Sequence, residues 1–200
     1  MSQNVNRSSG SSVRNLVGLA ILTALIVVLQ FIATFIKFGP FSITLALIPI
    51  VVGAALYGPK AGAYLGGVFG VIVLIACVMG WDIGAAILWN TRPFLTAVLC
   101  LVKGTAAGWV AALVYTLTAK KNVVAGTFLA AVACPLVNTG IFCLAMVFLY
   151  RDTLVAWSGG TELVYYVLTG LVGINFLVEL GVNAVISPAI VRIIKVRKTA

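Results

Sequence analysis

The chain contains no histidine, and its 200 residues hold only four acids, Asp82, Asp152, Glu162 and Glu179. General acid–base chemistry would therefore rest on very few groups. Three of the acids fall between apolar runs and far apart in sequence, which does not fit the clustered carboxylates that a metal-dependent membrane phosphotransferase needs. There is no GxxxxGK[ST] loop, so the P-loop route to binding and splitting ATP is absent. Cysteine is scarce as well. Cys77, Cys100, Cys134 and Cys143 all lie within apolar runs, without ligand-type spacing, so neither a metal site nor a disulfide framework is expected. These absences argue against an enzyme and against a bound cofactor.

What the chain has in abundance is apolar length. Hydrophobic residues make up 62% and charged residues 8%, with a mean hydropathy of +1.20, far from a soluble domain. Runs of roughly 18–25 apolar residues suffice to cross a bilayer. The hydropathy pattern predicts six spans, over 14–37, 42–58, 61–80, 92–118, 122–149 and 163–191. The expected fold is all-α, a polytopic membrane protein with six transmembrane helices in one compact bundle. Residues 1–13 read as a polar, Ser-rich disordered tail, 14–191 as the membrane domain and 192–200 as a basic tail.

An even number of spans puts both termini on one side. That side holds Arg7, Arg14, Lys60, Lys120, Lys121, Arg192, Lys195, Arg197 and Lys198 and no acid. The other side holds Lys37, Arg92 and Arg151 against Asp82, Asp152 and Glu162. By the positive-inside rule the termini are cytoplasmic. The net charge of +9 is then topological, and no nucleic-acid partner is expected.

Small residues pattern the spans. Gly62, Gly66 and Gly70 in span three, and Gly104 and Gly108 in span four, repeat a four-residue spacing that lets helix backbones approach in lipid. Ala20 and Ala24 form an AxxxA pair at the start of span one. Pro49 and Pro135 lie inside spans and free the carbonyls of Leu45 and Ala131. A kink explains Pro49, whereas Asn138, one turn beyond Pro135, points to a polar cavity there.

Ionisable groups at membrane depth cost on the order of 3 kcal/mol each and mark functional sites. Two stand out, Lys103 in span four and Glu179 in span six. Arg92, Thr96, Cys100 and Lys103 follow one helical stripe; Asn175, Glu179 and Asn183 form another; Asn138 and Thr139 add polar groups from span five. The stripes predict a shared polar interior, within which Lys103 and Glu179 either meet a ligand or pair with each other. On the outer side, Trp89-Asn90-Thr91-Arg92-Pro93 marks a helix N-terminus suited to an anion. The loop around Trp157, ending in Gly159-Gly160, has the composition of a lid.

The run Phe41-Ser-Ile-Thr-Leu-Ala-Leu-Ile-Pro49 through Gly53, Tyr57-Gly58-Pro59 and Gly62 resembles the second-to-third-span signature of the substrate-binding S components of energy-coupling factor (ECF) vitamin importers. Cys134-Pro-Leu-Val-Asn138-Thr-Gly140 resembles their fifth span, and Ala20 with Ala24 their contact to a transmembrane coupling subunit. The resemblance covers nearly all of 14–191. It implies a prokaryotic plasma-membrane protein that binds a water-soluble vitamin near the outer face, mainly through spans four to six. It also implies partners: a coupling subunit and two ATPase subunits, which fits the missing P-loop.

Arg92, Lys103, Asn138, Asn175, Glu179, Trp89 and Trp157 are the expected ligand contacts. The two cations favour an anionic vitamin, pantothenate first, with riboflavin and folate open. Two other readings compete: a self-sufficient secondary transporter whose coupling proton is carried by Glu179, and a structural membrane protein without ligand.

Overall fold

The computed structural model describes residues 3–36, 41–171 and 173–199; Lys37, assigned above to the outer side, lies outside them. Nine α-helices are present among the described residues: α1 (Gln3–Ala33), α2 (Leu47–Tyr57), α3 (Pro59–Val78), α4 (Ile83–Thr91), α5 (Pro93–Thr118), α6 (Val123–Phe148), α7 (Arg151–Ser158), α8 (Leu163–Tyr166) and α9 (Gly173–Thr199). Five segments are long and apolar enough to cross a membrane: Val13–Ala33, Pro59–Val78, Pro93–Thr118, Val123–Phe148 and Gly173–Val196.

The remaining expected span, 42–58, contains a helix shorter than membrane length. Helix α2 has 11 residues, about 16 Å at the α-helical rise and roughly half a hydrocarbon core. Pro49 therefore lies in its first turn rather than mid-helix, where a missing N–H breaks no intrahelical bond. Gly58, at φ 83°, ends α2, and Pro59 opens α3 immediately. Leu47, Ile50 and Val51 are completely buried, and α2 touches α1, α3, α5, α6 and α9. Its apolar character serves the protein core instead of lipid.

The last span is also interrupted. Residues 163–171 form α8 and a π-type turn over Val167–Leu171, and the membrane-length helix starts only at Gly173. Helix α9 then runs through the segment read as a basic tail, and α1 takes in the polar residues from Gln3 onward. Extending a formed helix costs far less than nucleating one, so weak helix formers at its ends can follow it.

Close helix packing follows the small residues. A Cβ on Gly62 would collide with the Gly108 carbonyl, and one on Gly66 with the Gly104 carbonyl. Helices α3 and α5 thus meet backbone to backbone, as the glycine spacing predicts. The main core joins Leu22 and Ile26 of α1 to Leu47 and Ile50 of α2, Leu65 and Phe69 of α3, Ala107 and Ala111 of α5, and Ile190 and Ile194 of α9.

Chain direction sorts the helix ends. Asn15, Tyr57 and Lys60 line one groove, and Ala119 at the end of α5 abuts Gly126 at the start of α6. The end that carries Lys60, Lys120 and Lys121 is therefore opposite the end where α4 and α7 lie.

Candidate functional site

Near the α4 end the helices part around a polar cavity, with an empty volume of about 860 Å³ including its open mouth. Each long helix contributes about one turn. Helix α1 supplies Gln30 and the turn after it Thr34, α3 Val73 and Cys77, α5 Thr96, Cys100 and Lys103, α6 Asn138, Thr139 and Phe142, and α9 Asn175, Phe176 and Glu179. The i, i+4 steps in these sets put each pair on one helix face. The non-helical segment Phe41–Thr44 closes part of the wall.

That segment is held at three points. The Ser42 backbone N–H and hydroxyl both donate to Asp82 Oδ2, at 2.7 and 2.5 Å. Asn175 Nδ2 donates to the Phe41 carbonyl at 2.9 Å. Thr44 hydrogen-bonds the Glu179 carboxylate from its side chain and its backbone. Asp82 is itself the N-cap of α4, accepting from Ala85 N–H at 3.0 Å, so its charge faces three donors and the positive end of a helix. The Phe41 ring meets Phe142 and Trp157 edge to face, with centroids 5.0 and 5.8 Å apart.

Lys103 Nζ lies 5.5 Å from the centre of the Phe142 ring and 5.9 Å from that of Phe69, within cation–π range. Among the described residues it forms no direct ion pair with Glu179. The pairing considered from sequence therefore does not consume this charge. Cys77 and Cys100, both free, place their sulfurs 3.9 Å apart in the cavity wall.

Several buried polar atoms in the wall have no partner. Gln30 Oε1, Asn138 Oδ1 and Asn175 Oδ1 are buried without a hydrogen bond, although their residues are at most 8% exposed. Buried acceptors are nearly always paired in proteins. All three residues also line the cavity.

Four of the seven ligand contacts expected from sequence, Lys103, Asn138, Asn175 and Glu179, come together in this cavity. The other three do not line it. Arg92 is exposed at the joint between α4 and α5. There its backbone carbonyl accepts from Tyr150 Oη at 3.2 Å and Thr96 Oγ1 at 3.0 Å, and the two hydroxyls are 2.7 Å apart. Burial raises the Tyr150 phenol above its ordinary pKa, against a smaller lowering by the Thr96 hydrogen bond, so it remains protonated at neutral pH. Arg92 thus fastens α5 to Tyr150 through its backbone, at the joint with α4, a helix absent from the sequence reading. Trp157 stands behind Phe41, and Trp89 packs against the cluster of Cys77, Ala85 and Cys100. The loop expected as a lid is in fact helix α7, closed by Gly159 at φ 57°.

Sequence reasoning missed Gln30, Thr34, Ser42, Thr44 and Asp82. A signal for Gln30 existed: it is an amide within an apolar helix, with Thr34 one turn later. The contribution of α1, α3 and the 41–44 segment also widens the site beyond spans four to six.

Ala20 and Ala24 are exposed on α1, whereas Leu22 and Ile26 on its other face are buried. The AxxxA pair therefore does not pack inside the bundle.

Among the described residues the chain is an all-helical bundle with several membrane-length helices around a cavity lined in part by polar side chains, which defines the class of a multi-pass membrane protein. Residues 14–191 match the family described as ECF transporter, substrate-specific component. The chain belongs to that family, which is one of transporter components rather than enzymes. It is also similar to the Pantothenic acid transporter PanT of Lactococcus lactis subsp. cremoris (strain MG1363), with 30% identity over 189 residues covering 86% of this chain and 89% of that protein.

Proposed function

We propose that the protein is the pantothenate-binding subunit of an ATP-driven importer in a prokaryotic plasma membrane. The bundle lies with the Lys60, Lys120 and Lys121 end in the cytoplasm, so the cavity opens outward. In this reading α2 completes a sixth, short passage through the bundle together with the 41–46 segment, and both termini are cytoplasmic.

The observation that carries the reading is Lys103. Among the described residues it is the cation that lines the cavity, close to two aromatic rings and without a direct ion pair to Glu179. Half-buried beside aromatic rings, the ammonium is only partly hydrated, and an anionic ligand offers it a partner. Pantothenate carries one carboxylate and a branched apolar centre that suits the walls formed by Phe41, Leu88, Leu99 and Phe142. The similarity to the pantothenic acid transporter favours the same choice over riboflavin or folate. Asn138 and Asn175 hydrogen-bond the ligand, and Glu179 orders Thr44 at the cavity wall. Transport then requires a coupling subunit, docked on the Ala20–Ala24 face, and two ATPase subunits.

Calorimetry on the detergent-solubilised chain tests the binding claim: saturable 1:1 binding of pantothenate is expected. Reconstituted alone in liposomes, the protein should bind pantothenate without concentrating it, even under an imposed proton gradient. Gradient-driven accumulation by the lone chain would replace this reading with a secondary transporter.

A further inference from the structure

At the end of the bundle opposite α4 and α7, helices α1, α2 and α3 leave a groove with an empty volume of about 780 Å³ including its open side. Asn15 and Leu19 come from α1, Leu56 and Tyr57 from the last turn of α2, and Lys60 and Tyr64 from the start of α3. Asn15, Lys60 and Tyr64 are exposed, whereas Leu19 and Leu56 are half-buried and give the groove an apolar side. Its charge is of one sign. Lys60 lines it and no acid does. Asp82 and Glu179 line the cavity instead, and Asp152 and Glu162 stand at the starts of α7 and α8.

Helix α3 sets the depth of the groove in a membrane. Its 20 residues run about 30 Å, the thickness of a hydrocarbon core. Lys60, the second of them, therefore stands where acyl chains give way to headgroups. Tyr64, one turn deeper and 54% exposed, has the apolar ring and polar tip that suit the same boundary.

We propose that this groove binds an anionic phospholipid, with the phosphate against the Lys60 ammonium and the upper acyl chain along Leu19 and Leu56. A basic pocket between membrane helices at headgroup depth attracts an acidic headgroup. A zwitterionic lipid carries its own cation and gains less from Lys60. A free phosphate has nothing to lay on the leucines. The site is separate from the cavity, so it stands or falls independently of the pantothenate assignment.

The test is a titration of the full chain, in neutral detergent, with dioleoyl phosphatidylglycerol or dioleoyl phosphatidylcholine, with bound lipid counted by native mass spectrometry. Phosphatidylglycerol should be retained in preference to phosphatidylcholine, and excess inorganic phosphate should not displace it. Lys60→Gln should weaken phosphatidylglycerol about fivefold, the effect of one basic residue near the membrane surface. Lys60→Arg should keep the binding. Lys120→Gln, which removes a cation from the same end outside the groove, should leave it within about twofold. A melting curve confirms that each variant is folded. Equal retention of the two lipids would overturn the inference, and so would an equal loss in Lys60→Gln and Lys120→Gln, which is diffuse attraction to a basic end. Displacement by inorganic phosphate would overturn it in favour of a free-anion site. Unchanged lipid binding by Lys60→Gln together with lost co-purification of a coupling subunit would assign the groove to that subunit and overturn it as well.

Discussion

The Asn175 carboxamide donates to the Phe41 carbonyl at 2.9 Å, joining α9 to a segment 134 positions earlier. The bond does two things at once. It fixes the non-helical cavity wall to a long helix, and it occupies one N–H of an amide whose oxygen is buried without a partner. One turn further along α9, Glu179 holds Thr44 of the same segment, and from the opposite side Asp82 holds Ser42. The wall is thus tied on both flanks by side chains whose remaining surface lines the cavity.

Removing the Lys103 charge tests the anion assignment directly. Lys103→Met keeps most of the apolar stem between Phe69 and Phe142 and deletes the ammonium. Pantothenate affinity should fall by about 1.5–3 kcal/mol, the range for a charge-assisted hydrogen bond. Panthenol, which carries an alcohol in place of the carboxylate, should bind the natural protein and the variant nearly alike. If both compounds lose the same affinity, Lys103 shapes the cavity rather than reading charge.

Asp82 tests the wall. Replacement with Ala removes the acceptor of the Ser42 N–H, the Ser42 hydroxyl and the Ala85 N–H. Loss of an N-cap alone costs about 1 kcal/mol, and each donor left unsatisfied adds about 1 kcal/mol or more. A loss of about 2–3 kcal/mol is expected, read as a lower melting temperature in detergent. Asp82→Asn retains an oxygen for α4 and should lose about half as much. An unchanged melting temperature for Asp82→Ala would show that the 41–44 segment is held by the Asn175 and Glu179 contacts alone.

The glycines of α3 offer a paired comparison. Gly66→Ala places a methyl group against the Gly104 backbone, where no side chain can yield, and should destabilise by about 1–3 kcal/mol through overpacking. Gly67→Ala, one position on, meets only the Thr105 hydroxyl, 3.4 Å away. That change should be neutral or stabilising by up to about 1 kcal/mol, because alanine is the better helix former. Thermal unfolding of the two variants side by side checks the contrast.

The residues that sequence brought to the cavity are those whose cost is visible locally. A lysine or glutamate within an apolar helix needs a reason to be there, and Asn175 and Glu179 share a face by simple periodicity. Asp82 and Ser42 carry no such mark. Each is an ordinary loop residue, and their role appears only when packing brings together positions 40 residues apart. The place of Arg92 at a helix start was legible, but its position outside the cavity lining follows from α4, a nine-residue helix that hydropathy merges with its neighbours. Likewise, α2 reads as a span because complete burial in protein and exposure to lipid demand the same residues.

Ala20 and Ala24 test assembly. Both are exposed on α1 among Val17, Ile21, Leu25 and Val28, so the pair forms a shallow site on an otherwise bulky surface that another helix can approach closely. Among the described residues nothing packs over that site. Ala24→Leu should therefore leave the melting temperature and pantothenate affinity unchanged, since the cavity draws from α1 and the turn after it only Gln30 and Thr34, at the far end of the helix. Bulk added at the contact with a coupling subunit typically costs about 1–3 kcal/mol, and two such changes, Ala20→Leu with Ala24→Leu, should abolish co-purification with that subunit and ATP-driven uptake. Uptake by the double variant at the natural rate would place the docking surface on another face. Loss of stability together with affinity would mean instead that α1 packs against its own bundle more closely than its exposure indicates. Measuring uptake, affinity and melting temperature on the same preparations separates these outcomes.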